Sequence, residues 1–310
     1  MPKFYLINAN VPDETVRTLH ASCEQRDIEF VEIDAITFDY EPSHRVGLGD
    51  MLYCAGTTAA AGFVEQHIYQ PGVATFYSSS DGPLARKGNP LLVFQRAGVP
   101  VPRWVHVTTN DRNLLRRFVE RMGEFPVILK VPGFSRGIGT TRIDSMPSLF
   151  SIVDYILASG VYPILCAYIH PATHWRAVVV GDRMVSHYRN VTEQDDFRTS
   201  GSAQEEDYRA PAPLGLEETA VAAVHALGHE FGGVDVLEHS SGRLYVLESN
   251  NPCYFATAQL AIGTDVSGAM VEYLLQKSKR LGGSSNNQDR KARGSRRKPM
   301  KTRSSVAGSA

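Results

Sequence analysis

The chain has 310 residues, of which 43% are hydrophobic and 21% charged, and a net charge of −1. This ordinary soluble composition leaves room for two or three packed units and excludes a membrane helix, since no apolar run approaches the roughly 18 residues one needs. The four cysteines (Cys23, Cys54, Cys166, Cys253) are scattered with no Cys-x-x-Cys, and no basic-then-apolar leader opens the chain, so we expect a reduced, cytoplasmic protein without disulfides, zinc ribbon or membrane partner.

In chain order, residues 3–7 read as a buried strand, 13–25 as a helix with apolar Val16, Leu19 and Cys23, and 28–33 and 50–54 as further strands. Residues 59–67 read as a helix and 72–76 as a fourth strand. Strands alternating with helices predict a small parallel α/β domain over residues 1–84. Gly47-x-Gly49 precedes a strand instead of following one, so it is no dinucleotide fingerprint. Residues 89–97 form a helix closed by Gly98, and 112–122 a second helix. Then come a strand at 125–130, a helix at 147–159 and a strand at 162–169. Residues 176–180 and 183–185 read as a hairpin about Gly181-Asp182. A long helix is expected over 216–231. His225 and His229 lie one turn apart in it, with Ala226 where a zinc protease carries Glu, so the pair reads as helix surface. The last helix is expected over 265–279.

The segment between these two helices carries the most chemistry. Apolar runs ending in Asp235 and Glu248 are joined by the turn His239-Ser-Ser-Gly-Arg243. Paired as a hairpin they bring Asp235 beside Glu248 and Asn250, and the latter two, two residues apart, share a strand face. Two carboxylates and an amide oxygen are hard ligands suited to magnesium, which shares its other sites with water and nucleotide phosphates. Upstream, Lys130 ends an apolar strand and is followed by Val131-Pro-Gly-Phe-Ser-Arg-Gly-Ile-Gly139. Gly133, Gly137 and Gly139 let the backbone turn and offer N–H groups to an anion, while Ser135 adds a hydroxyl and Arg136 a charge. No Gly-Lys-Ser/Thr follows, so this is not a Walker A loop.

A lysine and Gly-rich loop followed about a hundred residues later by Asp…Glu-x-Asn resembles the ATP-grasp superfamily, specifically the RimK-like and glutathione synthetase-like ligases. The resemblance covers about residues 84–279. Arg86-Lys87 followed by Ala97-Gly-Val-Pro-Val-Pro102 looks like the first nucleotide lysine and the entry to the ATP domain. Lys130 and the loop look like the second lysine and the phosphate flap. Cys166-Ala-Tyr-Ile169 looks like the hinge whose backbone binds adenine. His174-Trp-Arg176 looks like the family's Asp-x-Arg strand, and Phe197-Arg-Thr-Ser200 like its Phe-Arg-Ser/Thr-Asn segment. Four places depart from the pattern, one of them Asn251-Pro-Cys-Tyr-Phe255, where the family often continues into a small-residue and Gly turn. Cys166-Ala167 stands for the usual Gln-Glu, His174 for Asp, and Ser200 for Asn.

The resemblance implies an α/β (α+β ATP-grasp) fold with a pre-ATP-grasp domain (1–84), two α+β subdomains (85–165 and 166–280) that clamp ATP, and a tail (281–310). It implies an ATP site of Lys87, Lys130, Ser135, Gly137, Gly139, Ala167, Tyr168, Ile169, His174, Arg198, Thr199 and Ser200. It further implies one or two magnesium ions on Asp235, Glu248 and Asn250, with manganese as a substitute, and Arg176, Arg189 and Arg198 as arginines acting on the transferring phosphoryl group or the substrate carboxylate. The implied reaction is ATP-dependent carboxylate–amine ligation through an acyl phosphate, on an amino acid, peptide or protein tail. Two other readings stay open: phosphoryl transfer ending at a phosphorylated product, and an ATP-binding module without turnover. The N-terminal unit and residues 251–259 would shape the acceptor pocket. Relatives are often dimers or tetramers, which makes a homo-oligomer an expectation by analogy.

The tail holds eight Lys or Arg and one acid, a net +7, so residues 1–280 carry −8. It is rich in Gly, Ser and Asn and is expected to be disordered, either as a solvated extension or as a contact for RNA, a ribosome or an acidic partner.

Overall fold

The computed structural model describes residues 1–41, 43–85, 88–133, 137–192, 196–198 and 203–295, with 283–295 described by backbone alone. Its first unit is a parallel sheet in which β1 (Lys3–Asn8) lies between β2 (Glu29–Asp34) and β3 (Met51–Cys54). α1 (Asp13–Glu24) makes the β1–β2 crossover and α2 (Ala59–Ile68) follows β3. Side chains alternate along β1, so both faces are covered: Phe4 and Leu6 pack with Leu19 and Cys23 of α1, and Ile7 packs with Ala61, Val64 and Ile68 of α2.

The fourth strand expected over 72–76 does not form. Only Ala74 bridges Met51. Beyond it the carbonyls are claimed by the C-terminal unit. Glu230 N–H donates to Phe76 O at 2.8 Å, and Lys277 Nζ donates to Thr75 O at 3.0 Å and Tyr77 O at 2.6 Å. Lys277 is also ion-paired with Glu230, and both side chains are largely buried. Lys277→Met is therefore expected to destabilise the chain by roughly 3–5 kcal/mol, because Glu230 is left as a buried unpaired charge. A lower denaturant midpoint at unchanged slope would register it; an unchanged midpoint would contradict it.

The second unit is an antiparallel sheet in the order β4-β7-β5-β6, built from β4 (Trp104–His106), β5 (Val127–Lys130), β6 (Thr140–Ile143) and β7 (Ile164–Ala167). α4 (Arg112–Met122) and α5 (Met146–Ala158) supply Leu115, Val119, Leu149 and Val153 to a core separate from the rest. α3 (Pro90–Arg96) precedes this unit but sends Phe94 into the next one. β4 and β6 were not expected. They are short, and are held as strands by pairing with β7 and β5, Trp104 opposite Cys166 and Thr141 opposite Leu129.

The third unit is an antiparallel sheet, β11-β10-β8-β9, from β8 (Ala172–Val180), β9 (Arg183–Asn190), β10 (Phe231–His239) and β11 (Leu244–Asn250). One face packs on α7 (Leu216–Ala226) through Trp175, Ala177, Val179, Val234 and Val236. On the other, Val178, Val180 and Phe231 join Val266, Met270 and Leu274 of α9 (Val266–Ser295) and the α1 side of the first sheet. The N-terminal and C-terminal units thus share one core.

The long helix expected over 216–231 stops at Ala226, because Gly228 turns the chain at φ +73° and Phe231 opens β10. His229 therefore leaves the helix surface; it is buried and bridges Tyr77. α6 (Glu205–Tyr208) and α8 (Ala256–Ile262) were not foreseen. The backbone of α9 continues past Lys279 to Ser295, and residues 296–310 of the basic tail lie outside the described residues. All four cysteines are free. Among the described residues no helix is long and apolar enough to cross a membrane.

Candidate active site

The site grows from the parity of β8. Its odd residues face α7, so His174 and Arg176 share the other face with Val178 and Val180. Val178 and Val180 are covered by the shared core, which leaves the two polar residues at its margin. Strand register then builds a row across all four strands: Glu248 opposite Asp235, Asp235 opposite Arg176, and Arg176 opposite Tyr188. A bulge after Asp235 sets the hairpin so that Glu248 and Asn250 pair with Asp235 and Gly233. The hairpin anticipated from the sequence thus brings the three candidate ligands together.

Asp235 is almost fully buried. His174 Nε2 lies 3.2 Å from its Oδ1, and Arg176 Nη1 3.2 Å from its Oδ2. Burial alone would raise its carboxyl, but the His174 contact and the Arg176 charge outweigh it and hold Asp235 below the usual range. Glu248 moves the other way. Crowding by protein and repulsion from Asp235 push it above its ordinary value, although its side chain is open to solvent. The repulsion is the part that follows directly from the register. Asn250 Nδ2 donates to Glu248 Oε1 at 2.9 Å, and Lys130 lies close enough to favour its ionised form. Two mutually repelling carboxylates with an amide beside them fit a divalent cation.

Arg176 is held by a notch. A Cβ on Gly233 would lie 2.9 Å from Arg176 Nη1 and 2.8 Å from Cys253 Cβ, so only glycine lets the guanidinium and Cys253 close over β10. Arg176 Nη1 is near enough to Asp235 for charge attraction but not aligned for a hydrogen bond, and its Nε and Nη1 are buried without one. Those donors suit an anion arriving at the row. Despite burial, the Asp235 charge keeps this guanidinium firmly protonated.

The structure does not bring the other two arginines to the row. Arg189 is opposite Trp175, on the α7 face, and pairs with Asp207 at 3.1 Å. Its parity separates it from Arg176, and that parity depends on the β8–β9 register, which sequence spacing alone did not give. Arg198 is clasped by Asp196 through Nε at 3.0 Å and Nη2 at 2.8 Å, and its Nη1 reaches Gly137 O at 3.5 Å. It sits against the flap base, where Gly137 and Gly139 take positive φ and Val131 N–H donates to Gly139 O at 2.8 Å. Ala167 ends β7, and Tyr168 and Ile169 lead into β8, so this segment is the link between the two antiparallel sheets. Tyr168 stacks on His170, with Arg142 over its ring. Lys87, Ser135, Thr199 and Ser200 lie outside the described residues. Tyr188, which completes the row, was missed; its signal was its parity with Arg176 across a hairpin.

Comparison with known proteins decides the family. The RimK-like ATP-grasp domain matches residues 86–274, more than half of the chain. The chain belongs to the RimK-like ATP-grasp family. Among curated relatives, a probable alpha-L-glutamate ligase 1 of Shewanella oneidensis is 26% identical over 292 residues, covering 86% of this chain and 94% of that protein. A probable alpha-L-glutamate ligase of Rhodopirellula baltica is 24% identical over 229 residues, covering 73% of this chain. The chain spans 55% of that relative's length, and 60% and 61% of relatives from Picosynechococcus and Shewanella amazonensis. Of solved structures, the ATP-grasp ligase PsnB with a minimal precursor is 18% identical, with a TM-score of 0.65 over 89% of this chain and 99% of that one. D-alanine–D-alanine ligase from Bacillus anthracis is 14% identical, with a TM-score of 0.63 over 92% and 100%. These likenesses establish the ATP-grasp fold, and in this RimK-like chain the carboxylate row lies on the sheet that follows the interdomain link.

Proposed function

We propose that this RimK-like protein is an ATP-dependent carboxylate–amine ligase whose substrate is an amino acid, peptide or protein tail. The observation that carries the reading is the Arg176–Asp235–Glu248 row with Asn250 bonded to Glu248, close to Lys130 at the end of the flap strand. Lys130, with Lys87, would hold ATP phosphates as point charges. A magnesium ion on Asp235, Glu248 and Asn250 would supply charge neutralisation at the β- and γ-phosphates. The unpaired donors of Arg176 would then meet the moving phosphoryl group. A substrate carboxylate oxygen attacks the γ-phosphorus, ADP departs, and an amine displaces phosphate from the acyl phosphate to leave an amide. Since a carboxylate is a weak nucleophile, the gain comes from positioning and charge. Closing the 133–139 flap would keep water from the acyl phosphate.

The curated relatives bear the name alpha-L-glutamate ligase, and PsnB was solved with a precursor peptide. Both support an amino-acid or peptide acceptor system here. A cytoplasmic setting accords with the free cysteines. Trapping of a hydroxamate by hydroxylamine, with Mg-ATP and a carboxylate pool, tests the reading.

The carboxylate pair also sets a pH dependence. Glu248 is raised in the folded chain, so its protonated form contributes stability at low pH that is lost as pH rises through its folded value. A divalent cation must displace that proton. The midpoint for magnesium-dependent thermal stabilisation is therefore expected to tighten by up to about tenfold per pH unit in the window above the ordinary glutamate value, then level off. A midpoint flat across that window would contradict the pairing.

A further inference from the structure

β9 is an edge strand of its sheet, and a later segment, residues 204–210 with α6, returns along that edge. It grips β9 from both faces. On the α7 side, Asp207 Oδ1 pairs with Arg189 at 3.1 Å, and Ala210 O lies 3.0 Å from His187 Nε2. On the other side, Tyr208 packs its ring against Tyr188, with the centroids 4.9 Å apart. Gln204 N–H donates to Asp207 Oδ2 at 2.9 Å, so one buried carboxylate both caps α6 and anchors it. Arg189, expected at the phosphoryl group, instead fastens this strap.

Tyr188, against which the strap presses, stands directly opposite Arg176 across β8 and β9, the arrangement in which side chains on neighbouring strands touch. Tyr208 is 8% exposed, and α8 packs against α6 and β9, so the Tyr188 ring has a fixed wall behind it. Burial raises the Tyr188 phenol above its ordinary value, and the Arg176 charge offsets only part of the rise. The ring beside the guanidinium is therefore neutral at neutral pH and leaves its charge uncancelled. Asp235 attracts Arg176 without an aligned hydrogen bond, and Arg176 Nε and Nη1 have none elsewhere. Packing must then set the direction of the fork. β10 supplies the Gly233 notch on one side of β8, and β9 supplies Tyr188 on the other.

We propose that Tyr188, braced by Tyr208, is a positioning residue that aims the Arg176 guanidinium for phosphoryl transfer. Its role in turnover rests on the ligase reading, but the fixing of the guanidinium can be measured without turnover. In the ¹⁵N-labelled full chain, the Arg176 Nε–H resonance, identified by its absence in Arg176→Lys, should be protected from exchange with water. Tyr188→Leu should speed that exchange at least about tenfold, and Tyr188→Phe, which keeps the ring, should not. With Mg-ATP, hydroxylamine and a carboxylate pool, Tyr188→Leu should lower kcat about 10- to 100-fold at unchanged KM for ATP, while Tyr188→Phe stays within about threefold of the parent. A purely structural role would lower the melt and leave kcat per folded molecule alone. Should Tyr188→Leu melt early, Tyr208→Leu removes the brace with the row itself unaltered and should reproduce both effects. Parental exchange in both substitutions to leucine would overturn the proposal. So would a loss of kcat in Tyr188→Phe as large as in Tyr188→Leu, which would put the hydroxyl on the substrate. Faster exchange in Tyr188→Leu, with no hydroxamate from the parent chain, would sink the ligase reading alone. Hydroxamate formation with exchange and kcat indifferent to both substitutions to leucine would sink the positioning role alone.

Discussion

Glu248→Gln is expected to lower magnesium-dependent ADP formation by at least about 10²–10³-fold while leaving the fold intact. The amide keeps the shape of the carboxylate and an oxygen to accept from Asn250 Nδ2, the contact seen at 2.9 Å. It removes the negative charge that a cation would need. It also removes the repulsion with Asp235 that raises the Glu248 carboxyl. The variant without metal should therefore melt no lower than the parent at neutral pH, and its response to magnesium should be lost. Near-parental turnover in this variant would remove Glu248 from the metal site.

Arg176→Ala is expected to cut turnover about 10²–10³-fold, chiefly in kcat, and to destabilise the fold by roughly 3–5 kcal/mol. The second effect arises because Asp235, with a side chain 8% exposed, loses the guanidinium at 3.2 Å. The two effects separate with Arg176→Lys, which keeps a charge for Asp235 but loses the planar fork. That variant should recover most of the stability and little of the rate. If rate and stability recovered together, Arg176 would be a support for Asp235 and no more. Nucleotide affinity should change little in either variant, because Lys130, proposed to hold a phosphate, stands on β5.

Much of the site was legible because its hairpin obeys a simple pattern. Val234 and Val236 alternate with Asp235, and the turn between the runs pairs Asp235 with Glu248; the bulge that turns Glu248 away from the face of Val246 was not legible. Most helices followed from periodicity in the same way. The remainder failed for physical reasons. Residues 72–76 have strand composition, but Lys277 and Glu230 take their hydrogen-bonding groups from some two hundred and some one hundred and fifty residues away. β4 and β6 are only three and four residues long, and exist because β7 and β5 offer edges to pair with. Arg189 looked equivalent to Arg176, yet it faces the other way, and only the register across β8 and β9 tells the two apart.

The measurement that bears most directly on the ligase reading is ADP release with Mg-ATP, hydroxylamine, and pooled amino acids and short peptides as carboxylate donors. The account predicts ADP together with a trapped hydroxamate, both lost in Glu248→Gln, and splitting the pool then names the donor. ADP without hydroxamate would mean transfer to another group or idle hydrolysis, and would contradict carboxylate activation.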